Sequence, residues 1–571
     1  MLSLFLYIIN MITLRYNKTD LRYVFVLSDN SKELQALEKH LNKIPSYMFL
    51  PSFLGIPKPE VFLHKIVKDG KILHYVHSGL WKEIVDWCNN NGIQVDGCLN
   101  DSHFKYRDED LNEEEFKLWV NSLGLNVQPR PYQIHAAYLI VKYRLSTSQL
   151  ATRSGKTLIA YMVFRWMLEH GAHNILMIVP NISLVRQGVA DMDDYGKFFQ
   201  SETVWAKSEF CEGSNLTIGT FQSVVKRADK NDKKYDPKWL KKFDVVCIDE
   251  CHTAKCKSIQ TILNNDFMKN VKLKFGFTGT LPDDSTIESY CVQSLLGPKI
   301  QDITSKELQD AGYIANADIK QIHIKYDFND ELISLYEKCG EYLVSNYILD
   351  EDKKKILLPM KERDLTIQHK KSLPFSVKEY KKHSTKEEYI DYLIDLCKAN
   401  GSQLLMLEEM IIHRLLKRLK VIDNIIDEVD GNVVVFGHHV EYIKKMNEHI
   451  ESNHPDKIVL VITGATSPKK RKEYQDKMLE CSNVVLIASY ACVGTGLTFK
   501  NLDYGIFAQS FKSGIINKQA IGRGLLRAES KDTFYLYDLV DELPTNRLKK
   551  QGLDKAKLWR KEGFTFHSMD V

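Results

Sequence analysis

The chain has 571 residues, of which 44% are hydrophobic and 27% are charged, and its formal net charge is +4. This length and composition exclude a disordered or fibrous chain and predict a soluble protein of three or four domains. The small net charge neither requires nor excludes a nucleic-acid partner, because local basic patches matter more than the total. The eleven cysteines include no CxxC pair, which favours free thiols over a disulfide framework or a zinc site.

The first part of the chain, residues 1–127, mixes strand-like runs such as LRYVFVLS with helix-like runs such as KELQALEKHLNKI. It predicts a small α+β domain. The opening run MLSLFLYIIN lacks preceding basic residues and a cleavage site, and it is too short to span a bilayer. We therefore expect an N-terminal extension or first strand rather than a signal, and Met11 is an alternative start.

Residues 128–300 alternate helical patterns with β-branched apolar strands, including ILMIVP and FDVVCIDE. This alternation predicts a parallel sheet covered by helices. The same pattern recurs within 301–571, in GNVVVFG, NVVLIAS and TFYLYDLV. Between the two strand-rich regions, residues 325–428 are lysine-rich and largely helical. The predicted fold class is α/β: two doubly wound parallel-sheet lobes, a small α+β N-terminal domain, a basic helical insertion in the second lobe and a basic C-terminal helix.

The stretch LATRSGKTLIA contains the elements of a phosphate-binding loop ahead of a helix. Such a loop needs a flexible glycine, a lysine for the β- and γ-phosphates and a hydroxyl for Mg²⁺, and Gly155, Lys156 and Thr157 supply them. Alone, a GKT tripeptide is also explained by chance. The remaining loop residues expected to line the nucleotide are Thr152, Arg153 and Ser154. Arg153 replaces the usual small residue, and its side chain can point outward if the backbone there suits an L-residue.

The segment VVCIDECH places two carboxylates at the end of an apolar strand. Ligands of open parallel sheets bind at the carboxyl ends of the strands. We expect Asp249 to hold Mg²⁺, together with Thr157, and Glu250 to polarise the attacking water. The alternative is a strand end capped by two solvated acids, and the phosphate loop upstream argues against it.

Three further segments contain polar groups suited to a nucleotide or to nucleic-acid phosphates. RPYQ offers Arg130 and Gln133, whose amide can both donate to and accept from an adenine edge. VPNISLVRQ and GTFQS follow strand ends and offer Pro180, Thr220 and Gln222 to nucleic-acid phosphates. GFTGT offers Thr278 and Thr280 as links between the acids and the second lobe.

QAIGRGLLR in the second lobe places Arg523 and Arg527 four residues apart, on one face of a helix that also carries Gln519. Guanidinium groups suit the spread charge of a transferring γ-phosphoryl group. The alternative is a pair of solvated helix arginines. Upstream, VGTGL offers Gly496 to a nucleotide and Thr495 to nucleic acid.

Two more residues of the second lobe follow strands and are expected at a nucleic-acid interface. His438 comes after VVVFG, and Gly464 comes after KIVLVIT. No cysteine or histidine spacing around His438 supports a metal site.

Taken in order, RPYQ, TRSGKT, VPNISLVRQ, GTFQS, DECH, TGT, VVVFGHH, VGTGL and QAIGRGLLR resemble the motifs of superfamily 2 helicases and translocases, over residues 128–540. The resemblance implies two RecA-like lobes with ATP and Mg²⁺ between them. Lys156, Thr157, Asp249 and Glu250 would come from one lobe, and Arg523 and Arg527 from the other.

A narrower likeness is to the UvsW family of bacteriophage recombination helicases. It rests on the DECH box, the small N-terminal domain and the ending NRLKKQGLDKAKLWRKEGFTF. It implies a DNA-dependent ATPase that remodels branched DNA by fork reversal, branch migration and R-loop or D-loop dissociation. The implied partners are DNA with weak sequence preference and RNA in R-loops. The chain would act as a monomer in a bacterial host cytoplasm. A longer basic insertion at 350–405 departs from that family.

Two other functions fit the same motifs: a double-stranded DNA translocase that separates no strands, and a DNA-binding factor with a silent ATP site. The basic segments 353–382 and 547–561 are candidates for additional DNA surface, with a solvated helix face as the alternative. Trp559 and Tyr380 are of a type that stacks on bases, although burial is the stronger expectation for both.

Overall fold

The computed structural model describes most of the chain. The described residues are 11–17, 19–42, 61–68, 70–97, 110–205, 213–283, 286–327, 329, 331–336, 348–350, 355–357, 401–493, 501–509, 513–526 and 532–571. Several sequence predictions lie outside them: the opening run MLSLFLYIIN, Tyr380 and most of the basic segment 353–382, Thr495, Gly496 and Arg527.

The chain divides into two compact units, residues 1–304 and 305–571. The first unit contains a five-stranded mixed sheet and a seven-stranded parallel sheet, and the second contains another seven-stranded parallel sheet. These sheets confirm the predicted fold class of two parallel-sheet α/β lobes with a small mixed N-terminal domain.

The N-terminal mixed sheet has the strand order β3-β4-β2-β1-β5, in which only β1 and β5 are parallel. Its elements are β1 Met11–Tyr16, β2 Tyr23–Leu27, α1 Ser31–Leu41, β3 His64–Lys68, β4 Lys71–His77, α2 Trp81–Asn90 and β5 Gln94–Gly97.

The parallel sheet of the first unit has the order β12-β6-β11-β10-β7-β9-β8. Its central strands β7 and β10 are almost continuously apolar, as expected for strands covered on both faces. The elements are α3 Glu113–Ser122, α4 Pro131–Lys142, β6 Leu145–Leu150, α5 Lys156–Glu169, β7 Ile175–Val179, α6 Ile182–Gly196, β8 Ser201–Val204, β9 Leu216–Thr220, α7 Phe221–Ala228, α8 Pro237–Leu240, β10 Val245–Asp249, α9 Lys257–Leu263, β11 Leu273–Thr278, α10 Ile287–Leu296 and β12 Lys299–Ile303.

The parallel sheet of the second unit has the order β17-β18-β16-β19-β20-β13-β21, and a separate hairpin joins β14 to β15. Its elements are α11 Ser305–Asp310, β13 Asn316–Lys325, β14 Ile348–Asp350, β15 Lys355–Leu357, α12 Gly401–Ile412, α13 Leu416–Glu428, β16 Val433–Gly437, α14 Val440–Asn453, β17 Ile458–Ile462, α15 Pro468–Glu480, β18 Val484–Ser489, α16 Tyr490–Val493, β19 Tyr504–Phe507, α17 Gly514–Gly524, β20 Thr533–Glu542, α18 Arg547–Lys561 and β21 Thr565–Asp570. In the described part of the chain, no helix combines the length and apolarity that crossing a bilayer requires.

The N-terminal sheet packs on the first parallel-sheet lobe through a shared apolar core. Tyr290 of α10 is buried among residues of the mixed sheet and its helices. Its hydroxyl donates to Glu83 Oε1 at 2.5 Å, and His40 lies 2.7 Å from the same oxygen. Burial, together with this carboxylate, raises the pKa of Tyr290 well above its usual range, so the phenol keeps its proton and remains a donor. The N-terminal domain is therefore anchored to the lobe by both apolar and polar contacts.

The basic C-terminal helix α18 is less exposed than its sequence suggests. Trp559 is fully buried, which confirms the expectation of packing over base stacking, and its indole nitrogen donates to Asp538 at 3.3 Å. Lys555 is also buried and forms an ion pair with the same carboxylate. Lys555 therefore belongs to the interior and not to a DNA surface.

A carboxylate from α12 caps the start of α18. Glu408 is fully buried and accepts hydrogen bonds from the backbone N–H of Arg547 at 3.0 Å and of Leu548 at 2.7 Å, and from the hydroxyl of Thr545. A negative charge at a helix N-terminus is stabilising. Burial nevertheless raises the pKa of Glu408 to about 7, because the three hydrogen bonds only partly offset the loss of water.

This buried carboxyl predicts a pH-dependent stability. A folded-state pKa above the unfolded value stabilises the fold at low pH, and this stability is lost as the pH rises towards 7. Raising the pH from about 5 to 8 should remove up to about 3 kcal/mol through this group, and Glu408→Gln should abolish that component. Urea unfolding of the second unit at both pH values measures it. The exposed Glu480→Gln variant is the control, and an unchanged pH slope in Glu408→Gln would contradict the assignment.

Candidate functional site

The predicted phosphate loop follows β6 and leads directly into α5. Gly155 has φ of +80° and precedes the helix, and a Cβ there would lie 2.2 Å from Gln133 Nε2, so only glycine fits. Ser154 Oγ is buried with no hydrogen-bond partner on any described residue. Lys156 Nζ donates to Leu150 O at 3.2 Å. An unpartnered hydroxyl, a lysine beside it and a helix N-terminus form a donor set that fits a phosphate group.

Two side chains of RPYQ donate hydrogen bonds to the backbone of the phosphate loop. Gln133 is buried; its Oε1 accepts from the Arg130 N–H at 2.8 Å and its Nε2 donates to Ser154 O at 2.8 Å. Tyr132 donates to the same carbonyl at 2.7 Å. Sequence reasoning assigned Gln133 to adenine alone and missed Tyr132. In the structure, both connect the start of α4 to the phosphate loop.

The backbone at Arg153 does not meet the condition under which an L-residue fits the loop without strain. Its φ is +72°, in the left-handed region that L-residues rarely adopt. Burial lowers the pKa of Arg153 from its usual value, so the side chain is not simply solvated. The loop therefore carries backbone strain next to Gly155, and Thr152 lies at its start.

Thr157, the predicted Mg²⁺ ligand, lies in the first turn of α5 beside Asp191 of α6. Burial raises the pKa of Asp191 to about 6, repulsion from Asp194 adds to this, and Gln187 and Thr157 partly stabilise the carboxylate. Sequence reasoning missed Asp191, because no motif marks a helical aspartate so far along the chain from the loop.

The two predicted acids lie at the carboxyl end of β10. Asp249 Oδ1 accepts the backbone N–H of Glu250 at 3.0 Å, and Glu250 has φ of +53°. Burial and then repulsion from Glu250 raise the pKa of Asp249 to about 6, against the attraction of Lys156. Burial acts in the same direction on Glu250, but the His252 hydrogen bond and the charge of Lys156 outweigh it and lower the pKa. Glu250 is therefore a carboxylate at neutral pH.

A hydrogen-bond network joins these acids to the neighbouring strand β11. Thr278 Oγ1 lies 2.9 Å from His252 Nδ1 and 3.2 Å from Glu250 Oε2. It also accepts the backbone N–H of Thr280 at 3.2 Å. Within the first lobe, GFTGT is thus linked to the DECH box through Thr278. His252 was present in the quoted motif but was given no role.

Strand order brings these parts together, because β6, β11 and β10 are consecutive neighbours in the sheet. Their carboxyl ends carry the phosphate loop, Thr278 and the Asp249–Glu250 pair. Oxygen ligands from a hydroxyl and a carboxylate suit Mg²⁺. The residues present therefore fit a magnesium nucleotide at this edge of the first lobe.

A second polar surface lies further along the same edge, after β7, β8 and β9. A cavity of about 430 Å³ is lined by the predicted residues Pro180, Thr220 and Gln222, and Gln222 Nε2 lies 3.4 Å from Pro180 O. The lining also includes residues that sequence reasoning missed: Trp205, Lys226, Arg227 and Lys234. Lys226 follows Gln222 by four residues on α7, a spacing that could have indicated a shared helix face.

In the second unit, Gln519 and Arg523 lie one turn apart on α17, and both are half-buried. His438 follows β16, and its N–H donates to Gln509 Oε1. Gln509 Nε2 also lies 2.5 Å from a ring nitrogen of His413, which directly follows α12, and burial lowers the pKa of His413 to about 2. A neutral His413, at the end of α12 and within the predicted insertion 325–428, thus supports the turn at His438. Gly464 is exposed after β17.

Comparisons with known proteins agree with this arrangement. The family described as "Type III restriction enzyme, res subunit" matches residues 126–283, and "Helicase conserved C-terminal domain" matches residues 417–525. The ATP-dependent DNA helicase UvsW of Enterobacteria phage T4 is 24% identical over 518 residues, which cover 86% of each chain.

Two solved structures are also similar. The crystal structure of T4 UvsW is 22% identical and covers 98% of this chain and 99% of its own, with a TM-score of 0.41. The type ISP restriction-modification enzyme LlaBIII bound to DNA is 14% identical, with 86% of this chain and 34% of that chain covered and a TM-score of 0.50. The similarity to LlaBIII supports the fold alone.

The two matched domains fall on the two parallel-sheet lobes, and the UvsW match extends over most of the chain. The chain is a superfamily 2 helicase. It is an ATP-dependent enzyme and a homologue of UvsW, which confirms the resemblance inferred from the motifs. The sheets of this helicase are its RecA-like lobes.

The strained residue of the phosphate loop generates a prediction. Arg153→Gly should raise the free energy of unfolding of the first unit by about 1 kcal/mol, because glycine adopts positive φ without the side-chain clash. Urea unfolding measures the change. Arg153→Ala is the matched control, since it removes the side chain but keeps the Cβ and hence the strain. Equal stabilities for the two variants would contradict the assignment.

Proposed function

We propose that this helicase acts on DNA and remodels branched substrates, by fork reversal, branch migration and dissociation of R-loops or D-loops. The observation that carries the proposal is the convergence of the phosphate loop, the Asp249–Glu250 pair and Thr278 at one sheet edge, next to a basic cavity along the same edge. The similarity to a protein named as an ATP-dependent DNA helicase supports DNA as the substrate.

The ATP site is proposed to work through groups of the first lobe. The backbone N–H groups of 154–157 and the ammonium of Lys156 would bind the β- and γ-phosphates. Thr157 and Asp249 would hold Mg²⁺, which supplies charge neutralisation on the phosphates when bound. Glu250, ionised at neutral pH, would accept a hydrogen bond from the attacking water and orient it. His252 and Thr278 fix the Glu250 carboxylate in place.

From the second unit, we propose that Arg523, with Arg527, stabilises the charge of the transferring γ-phosphoryl group, and that Gln519 assists on the same helix face. These roles are specific to the transition state. Arg523→Ala is therefore expected to reduce the rate of hydrolysis far more than the affinity for ATP.

The nucleic-acid path is proposed to follow the carboxyl ends of β7, β8 and β9. Lys226, Arg227 and Lys234 would neutralise phosphates beside Pro180 and Thr220. Trp205 lines the same cavity and lies under the guanidinium of Arg186, at 5.1 Å. Binding through phosphates carries little sequence information, so the preference for sequence should be weak. His438, Gly464 and Thr495 are the proposed contacts from the second unit.

The experiment is a paired measurement of ATP hydrolysis and strand displacement on forks and four-way junctions. The wild type should show hydrolysis that DNA stimulates, together with displacement of a labelled strand. Lys156→Ala should reduce both by about a hundredfold or more, as expected when charge stabilisation at the transferring group is lost. Glu250→Gln should bind ATP but hydrolyse it at a similarly reduced rate.

The exposed Lys241→Met variant is the control and should behave as wild type. Hydrolysis and triplex displacement without strand separation would instead assign a double-stranded DNA translocase. DNA binding with no ATP hydrolysis above background, in the wild type and in Lys156→Ala alike, would leave a DNA-binding factor with a silent ATP site.

A further inference from the structure

A second cavity lies at the opposite edge of the same sheet, where the N-terminal domain meets the first lobe. We call it the basal cavity; its volume is about 410 Å³, within the range of small-ligand sites. Arg144, Lys272 and Lys274 contribute positive charge at the starts of β6 and β11, and Tyr16 of the N-terminal domain faces them. It is separate from the phosphate loop, which follows the other end of β6.

Lys274 is the unusual residue of this cavity. It is 7% exposed, and no described residue accepts a hydrogen bond from its ammonium. A buried charged group is normally paired, because leaving water costs several kcal/mol per ion, on the order of what a whole domain can spare. A lysine of this kind on a cavity wall indicates that its partner comes from outside the protein.

The surroundings of Lys274 favour an anion. Arg144 and Lys272 line the same wall, and among the described residues that line the cavity none is acidic. Asp20 is the nearby carboxylate, but it pairs with Arg22 at 2.6 Å. Burial, and then the positive charge of Arg22, lower the pKa of Lys274 to about 8, and Asp20 opposes the shift. At neutral pH the ammonium is thus mostly charged, and no acidic residue in the described part of the chain forms a salt bridge with it.

Apart from His170, the rest of the wall is apolar and suits a flat, weakly polar group. Met167 and Met268 are buried there, and the half-buried ring of Tyr16 closes the side formed by the N-terminal domain. A ligand with a phosphate at one end and an aromatic base at the other matches this division. Thioether and aromatic side chains pack well against aromatic rings.

We propose that the basal cavity is a second nucleotide-phosphate site, distinct from the ATP site, in which Lys274 and Arg144 bind the phosphate of a nucleoside monophosphate and Tyr16 packs against its base. The same chemistry is offered by a free nucleotide and by the phosphorylated end of a nucleic-acid strand. This proposal is independent of the proposed function, since a ligand can bind in the basal cavity without ATP hydrolysis in the site that contains Lys156.

Isothermal titration calorimetry with thymidine monophosphate tests the site. The parent protein is the full chain with Lys156→Ala, which weakens the ATP site. It is compared with the same chain that also carries Lys274→Met. Methionine is apolar and similar in length, so the fold should keep or gain thermal stability. We expect at least a tenfold weaker binding in Lys274→Met. Lys241→Met, an exposed lysine outside the cavity lining, should leave the affinity unchanged.

Two oligothymidylates of one length, with a 5′-phosphate or a 5′-hydroxyl, separate the sources of the ligand. A gain in affinity from the 5′-phosphate that Lys274→Met removes would assign strand ends. An effect on the free nucleotide alone would assign a free-nucleotide site. Two results would overturn the proposal. One is that Lys274→Met leaves the affinity for both thymidine monophosphate and the 5′-phosphorylated strand unchanged. The other is that the nucleotide does not bind and the 5′-phosphate adds nothing to the affinity of the strand.

A proton balance gives an independent readout. At about pH 8 half of the Lys274 amines are neutral, and a bound phosphate should draw in about half a proton per site. Burial lowers the pKa of the neighbouring His77 to about 3, so His77 stays neutral at this pH. The binding heat should therefore differ between Tris and EPPS buffers, and Lys274→Met should remove the difference. Buffer-independent heat in the parent chain would contradict the role of Lys274.

Discussion

The hydrogen bonds that join Glu250, His252 and Thr278 are the constraint on which the candidate ATP site depends. They tie the end of β10 to the end of β11 and set the direction of the Glu250 carboxylate. The neighbouring strand β6 then places the phosphate loop beside them. A carboxylate that orients water must be both ionised and fixed. His252 supports both conditions, because it lowers the pKa of Glu250 and restricts its position.

This arrangement has a cost that the surrounding fold sustains. Arg153 and Glu250 both have positive φ, and Ser154 Oγ is buried without a hydrogen-bond partner among the residues that the structure describes. Strained conformations of this kind persist only where the neighbouring structure determines them, and they cluster at functional sites. Here the clamp formed by Gln133 and Tyr132 on Ser154 O holds the loop. The strain and the unpartnered hydroxyl are thus features of a site prepared for a phosphate.

The sequence predicted the two parallel-sheet lobes correctly because their strands are apolar runs separated by helical patterns, and it marked the loop and acids because their chemistry requires fixed spacings. It could not predict Asp191 of the first unit or Gln509 of the second, since these residues reach their neighbours through packing and carry no local pattern. Tyr132 lay within the quoted RPYQ but was given no role. It also missed the positive φ of Arg153, which only the fold imposes. Lys555 shows the same limit, because a lysine in a basic run is buried and paired with Asp538 on the preceding strand β20.

The most direct test of the central claim is a crystal structure of the chain with Mg²⁺ and ADP. The account predicts the β-phosphate on the backbone N–H groups of 154–157, with Lys156 Nζ in hydrogen-bond range. It also predicts the metal ion beside Thr157 and Asp249, with the contact between Glu250 and Thr278 preserved. A nucleotide bound away from Lys156, or a metal ion remote from Asp249, would contradict it.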